Sequence, residues 1–254
     1  MIPRVCRLAT MNALLPMLLV AALPAYAQQP PAAASNSPWS FDVGVGFDNV
    51  VSGNINSSGI GQINNQAVVI TSNSYEDVYG TGLHLRFGGG YALGDSTEVT
   101  GTFIFQSTDA DQVTPMGDIG VSNLYGQYSD YQTFGLDIGL RQYANLSSSL
   151  RAYGEGAVGV GFVDKTDVTL VAPTANLSGE ANDFYDQTAA LGFGANVGLL
   201  YQTGGVVGFY GQLGLRWMGG MAEIDDLEGT GLENINDKSS RWTLPFIGGV
   251  RMRF

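Results

Sequence analysis

From Trp39 onward, bulky apolar side chains trade places with polar or small ones at every second residue, in eight separate stretches. Trp39, Phe41, Val43, Val45 and Phe47 alternate with Asp42, Gly44, Gly46 and Asp48. Tyr79, Thr81, Leu83, Leu85, Phe87, Gly89 and Tyr91 oppose Gly82, His84, Arg86, Gly88 and Gly90. Thr97, Val99, Gly101, Phe103 and Phe105 oppose Glu98, Thr100, Thr102 and Gln106; Phe134, Leu136, Ile138 and Leu140 oppose Thr133, Gly135, Asp137, Gly139 and Arg141. In the Gly-rich fifth stretch, Leu150, Ala152, Val158, Val160 and Phe162 face away from Arg151, Tyr153, Glu155, Gly159 and Gly161. The sixth runs from Tyr185 and Gln187 through Ala189, Leu191, Phe193, Ala195, Val197 and Leu199 to Tyr201, against Thr188, Gly192, Gly194, Asn196 and Gly198. The seventh sets Val207, Phe209, Leu213, Leu215 and Trp217 against Gly208, Tyr210, Gln212, Gly214 and Arg216. The last sets Trp242, Leu244, Phe246, Gly248, Val250, Met252 and Phe254 against Arg241, Thr243, Pro245, Ile247, Gly249, Arg251 and Arg253. A period of two is that of a strand, whose side chains point alternately to opposite faces.

The connections alternate as well. Gly94-Asp95, 144–148 and 203–205 are tight; 51–78, 107–130, 164–184 and 222–240 are long, polar and acidic. Eight strands joined by short turns on one side and long loops on the other predict an antiparallel up-and-down barrel. Two features point the apolar set outward, into lipid. An eight-stranded lumen barely holds its own side chains, so the small set belongs inside. The aromatics also collect at strand ends: Phe47, Tyr79, Phe105, Phe162, Tyr185, Trp217 and Trp242 at the long-loop side, Trp39, Tyr91, Tyr201 and Phe254 at the other. Two such girdles flanking an aliphatic band suit two lipid interfaces. A water-soluble carrier of the lipocalin kind would carry its apolar set inside instead. The run Ala67-Val68-Val69-Ile70 in the first loop is expected either to form a hairpin above the membrane or to add a ninth and tenth strand.

This whole-chain pattern resembles the small eight-stranded outer-membrane barrels, the group containing the OmpA transmembrane domain, OmpX and the opacity-type proteins. The alternation of Trp242, Leu244, Phe246, Val250 and Met252, closing on Phe254, resembles the C-terminal signal read by the machinery that assembles such barrels. The resemblance implies an all-β transmembrane fold over 39–254, a polar lumen, and outer-membrane lipid, lipopolysaccharide and that assembly machinery as partners.

Composition adds the route of export. Arg4 and Arg7 precede an apolar run, Leu14 to Leu23, that ends in Pro24-Ala25-Tyr26-Ala27. A basic start, a short apolar core and an A-x-A site predict a signal peptide over 1–27; about ten apolar residues are too few to span a bilayer as a helix. Cys6, the sole cysteine, lies inside it, which leaves no thiol for a disulfide or redox chemistry. Residues 28–38, rich in Gln, Pro, Ala and Ser, are expected to form a disordered lead-in. Removing two of the 11 Lys+Arg and none of the 23 Asp+Glu leaves a formal charge of −14. Such a chain repels nucleic acid, which is excluded as a partner.

Candidate chemistry lies in the inward set. Asp42, Glu98, Asp137 and Glu155 share it with Arg86, Arg141, Arg151, Arg216 and Arg251. Charges in a narrow lumen are costly unless paired, so a structural network of carboxylate and guanidinium is expected, and Arg suits it because its fork grips carboxylates at two points. The alternative is a charged constriction that passes ions. His84, the sole histidine, falls in phase with Arg86 without a Ser on its face, and no nucleophile, base and acid come together. No catalytic, cofactor or metal residues are expected. The glycines of 88–90 and 154–161 lack the Lys-Ser/Thr of a phosphate loop, and the last loop does not follow an EF-hand. Its acids Glu223, Asp225, Asp226, Glu228, Glu233 and Asp237, with Asp109, Asp111, Asp118 and Asp130 in the second loop, serve solubility, divalent-cation bridging to lipopolysaccharide, or contact with another surface. The expected role is non-enzymatic, in envelope integrity or surface adhesion; a narrow porin-like channel is the alternative, and a lipid A-modifying enzyme the third.

Overall fold

A computed structural model describes residues 37–254 apart from 64, 111–112, 176, 224–226, 228 and 237–238. The expected signal peptide, Cys6 and nearly all of the 28–38 lead-in lie outside the described residues, as do Asp111, Asp225, Asp226, Glu228 and Asp237.

The strands are β1 (Trp39–Ser52), β2 (Asn54–Asn56), β3 (Gly59–Ile63), β4 (Gln66–Ile70), β5 (Asn73–Ser74), β6 (Gly82–Ala92), β7 (Thr97–Thr108), β8 (Thr114–Ile119), β9 (Ser122–Tyr128), β10 (Tyr131–Asn145), β11 (Leu150–Val163), β12 (Thr166–Ala172), β13 (Leu177–Asp186), β14 (Thr188–Gln202), β15 (Val207–Met218), β16 (Ala222–Glu223) and β17 (Arg241–Arg253), with one helical turn, α1 (Tyr75–Val78). Eight of them close a barrel in the order β1-β17-β15-β14-β11-β10-β7-β6, and β6 returns to β1. Every ladder is antiparallel, from Phe41↔Met252 at the seam to Phe134↔Phe162 on the far wall.

Along these strands burial alternates as the sequence predicts. Asp42, His84, Arg86, Glu98, Asp137, Arg141, Glu155 and Arg216 are buried inside, while the large apolar side chains point out. Ile138 and Leu191 are each 70 % exposed, which excludes a soluble carrier with an oily interior. The outward band is bounded by rings in contact: Phe193 lies 5.0 Å from Trp217 and 5.5 Å from Trp242 on the long-loop side, and Trp39 lies 4.9 Å from Tyr91 on the other. An Ile138→Arg substitution puts a charge into that band at mid-height. It is expected to cost about 2–4 kcal/mol, read as a shifted urea midpoint for folding into lipid vesicles; an unchanged midpoint would mean this face does not meet acyl chains.

The small inward residues make room for their neighbours. A Cβ on Gly44 would collide with the hydroxyl of Tyr210 and with Ile247, and one on Gly159 with Asp137. Pro245 stands in no bulge. The β15–β17 ladder runs to Leu213↔Phe246 and resumes in the same register at Arg216↔Thr243, so the residue that has no N–H to donate sits in a short interruption. The seam's register shift falls further out, between Val50 and Ser52.

The four long connections are where sequence and structure part. They are not simple acidic loops but a second sheet above the barrel, ordered β16-β13-β12-β9-β8-β4-β3. The first loop's apolar run is β4, paired with β3 as a hairpin, so the barrel stays at eight strands. β3 is covered in turn by the last loop, through Gln62 N donating to Thr230 O (2.8 Å) and Ser57 N to Ile235 O (2.6 Å). Tyr79 and Tyr185, expected in the outer girdle, are 3 % and 0 % exposed, because their rings belong to the interior of this cap. Val68, Ile70, Met116, Ile119, Leu124, Val168, Phe184, Leu232 and Ile235 pack with them in one apolar core. That core continues downward through Tyr75, Tyr131, Val163 and Met218 into the barrel mouth.

Candidate functional site: a charged lumen under an apolar cap

The lumen's lower network centres on Arg141. Its Nε donates to Glu155 Oε2 (2.6 Å) and its Nη1 to Asp42 Oδ2 (3.0 Å) and Glu98 Oε2 (3.4 Å). Arg86 Nη2 takes the other Glu155 oxygen at 2.6 Å. Arg251 contacts Glu98 and places Nη1 3.3 Å from Asp42 Oδ1. Ser40 Oγ and Tyr143 OH complete the shell around Glu98 at 2.6 and 2.9 Å. Arg216 and Asp137 form a separate two-point pair, one arm of which is Nη2 to Oδ1 at 3.0 Å.

Eight of the nine network residues read from the sequence therefore meet carboxylate to guanidinium. Arg151 does not join them. Half-buried beside the tight turn, it donates to Asp95 O (2.6 Å) and lies 4.1 Å over the Tyr143 ring. The reason is height, since Arg151 is the second residue of β11 and leaves the lumen at its inner rim.

A second group near the outer mouth was in phase in the sequence but went unread as a unit. Gln106 Nε2 donates to Asp48 and lies 3.4 Å from His84 Nδ1, whose own distance to Asp48 Oδ2 is 3.8 Å. Arg241 Nη2 donates to Gln106 Oε1 (3.2 Å), and its guanidinium lies 3.7 Å over the Tyr131 ring. Arg241 is thus held by an amide and an aromatic face, a stabilising arrangement for a cation away from water. Across both groups, Asp42, Asp48, Glu98, Asp137 and Glu155 balance Arg86, Arg141, Arg216, Arg241 and Arg251, all of them buried. The lumen is a neutral salt lattice, which is the condition under which so much buried charge is tolerated.

Above it, the cap holds its tyrosines by their hydroxyls. Tyr75 donates to Ser239 O (2.8 Å), Tyr79 to Ser129 O (3.0 Å) and Tyr128 to Asn56 Oδ1 (2.9 Å). Burial pushes all three well above the usual phenol range, so they keep the protons they donate. On the exposed last loop, Glu233 accepts from Gly229 N (2.9 Å) and Gly231 N (3.0 Å). Backbone N–H groups, its own first, hold its carboxyl below the ordinary glutamate value. An open recess above the girdle is lined by Asp130, Asp164, Asp167 and Asp186 around Lys165. Among the described residues no cluster of His, Cys, Asp or Glu has the arrangement of a metal site.

No protein-family model matches the sequence, and no curated protein does. Among solved structures, the Neisserial surface protein A (NspA) is similar at 9 % identity and a TM-score of 0.45, covering 86 % of this chain and 98 % of that one. The outer membrane protein OprG from Pseudomonas aeruginosa is similar at 13 % identity and a TM-score of 0.41, with 86 % and 97 % covered. Ail, the attachment invasion locus protein of Yersinia pestis, is similar at 9 % identity and a TM-score of 0.37, with 84 % and 98 % covered.

Proposed function

We propose that this protein is a plugged outer-membrane barrel whose cap, not its lumen, carries the function: non-enzymatic, in envelope integrity or in contact with another surface. The observation that supports this reading is a lumen crossed by five carboxylates and five guanidiniums and roofed by a continuous apolar core. A hydrated ion would have to break paired charges and then cross Tyr75, Tyr79 and Tyr131. Lipid A chemistry is disfavoured by access, because His84 is sealed inside the wall with Asp48 and Gln106, out of reach of a lipid on the outside.

The cap's charge bears on its partners. The four long connections hold 16 of the 23 acidic residues against Lys165 and Lys238. Lipopolysaccharide beside such a surface needs divalent cations between the two, and a loop ligand would carry cationic groups. The outward set of β17, from Trp242 to Phe254, is the stretch offered to the assembly machinery. Planar-bilayer recording of the refolded protein tests the plug. A silent trace is expected, and discrete single-channel steps would replace this reading with a narrow pore.

A further inference from the structure

Between the two lumen groups lies a cavity of about 20 Å³, whose polar wall is His84, Arg86, Asp137, Glu155, Asn196, Gln212 and Arg216. Space of that order holds a single water-sized particle, which needs about 10–15 Å³. Four of these side chains, each more than nine-tenths buried, bring a nitrogen without a hydrogen-bond partner: His84 Nε2, Arg86 Nε, Gln212 Nε2 and Arg216 Nε. The two carboxylates on the same wall each accept from two guanidinium groups or arms. Asp137 accepts both arms of Arg216, and Glu155 accepts from Arg86 and Arg141.

The hydrogen on His84 Nε2 follows from its neighbours. Arg241 donates to Gln106 Oε1, which turns the amide nitrogen toward Asp48 and His84. With Nδ1 facing that donor, Nε2 is the ring nitrogen that carries a hydrogen. All four orphan nitrogens are therefore donors. A water in the cavity can accept from only two of them, whereas a monatomic anion accepts from all four.

We propose that this cavity is a binding site for one monatomic anion of the halide class. Arg86 Nε, Arg216 Nε, Gln212 Nε2 and His84 Nε2 supply the donors. Because His84 and Arg86 lie on β6 while Gln212 and Arg216 lie on β15, the ion braces two strands three places apart around the wall.

The test is X-ray diffraction from crystals of the detergent-solubilised protein equilibrated with sodium bromide, recorded at the bromine absorption edge. An anomalous peak inside this cavity is expected, together with a bromide affinity about tenfold weaker in Gln212→Met, the effect of one lost charge-assisted hydrogen bond. Gel mobility of the unheated, folded variant establishes that its barrel is intact, and the double variant Gln212→Met/His84→Leu serves if the single one misfolds. A cavity holding only water in well-ordered bromide crystals would overturn the proposal. A peak of equal strength in the variants would overturn it too, as an adventitious ion only.

Discussion

Arg141→Met is expected to lower the stability of the barrel by about 3–5 kcal/mol, the usual effect of removing one partner from a buried ion pair. The size follows from what is stranded. Asp42 and Glu98 keep only Arg251 as a cationic partner, and Glu155 keeps only Arg86. Arg141→Lys should recover only part of the loss, since an ammonium cannot fork toward three carboxylates at once. Urea titration in lipid vesicles, followed by tryptophan fluorescence, reads the difference. The Arg216–Asp137 pair supplies the internal control, being a closed unit. Arg216→Met alone should be costly, while Arg216→Met with Asp137→Leu should regain most of the loss. Equal midpoints for wild type and Arg141→Met would show that the lattice contributes nothing to stability.

Tyr185→Ala should loosen the cap and spare the barrel. The ring is fully buried, edge-on to Phe184 at 5.0 Å, and its hydroxyl donates to Ile55 O from across the cap. Truncating a buried aromatic costs about 3–5 kcal/mol, and the small strands β2, β3, β5 and β16 hold little in reserve against such a loss. Trypsin provides the readout, because the cap connections carry lysine only at 165 and 238. Cleavage at these sites should accelerate in the variant while the folded band on an unheated gel stays in place. If that band disappears as well, cap and barrel are one cooperative unit and the two-layer description fails.

How much of this was readable in advance depended on the range of each interaction. Period-two alternation is local, so all eight barrel strands and the direction of nearly every side chain on them were legible. Some pairings followed too: a turn at Gly94-Asp95 puts His84 opposite Gln106, as the β6–β7 ladder has it. The approach of Arg241 to Gln106 was not legible, because it joins residues 135 apart across a closed lumen and depends on the shear of the whole barrel. Arg151 misled for a related reason, since phase gives the face of a side chain but not its height. Of the cap, only the hairpin around residues 67–70 was legible, although other cap strands also alternate. Leu124 with Tyr128 keeps the period of two, but a register shift between Pro115 and Gly117 sets Met116 and Ile119 three apart, and the acids, glycines and prolines around them favoured loops. Tyr79 and Tyr185 followed the barrel's period past the point where the wall bends into the cap core.

The cap strands stand in the same circular order as the hairpins that raise them, and the gap left beside β3 is filled by the segment between β15 and β17. Strand β17 also forms the seam with β1. Docking that single strand would therefore close the wall and bring the segment that covers β3 into place. A half-zipped intermediate would be open at the top and along one side together, with its salt lattice still wet.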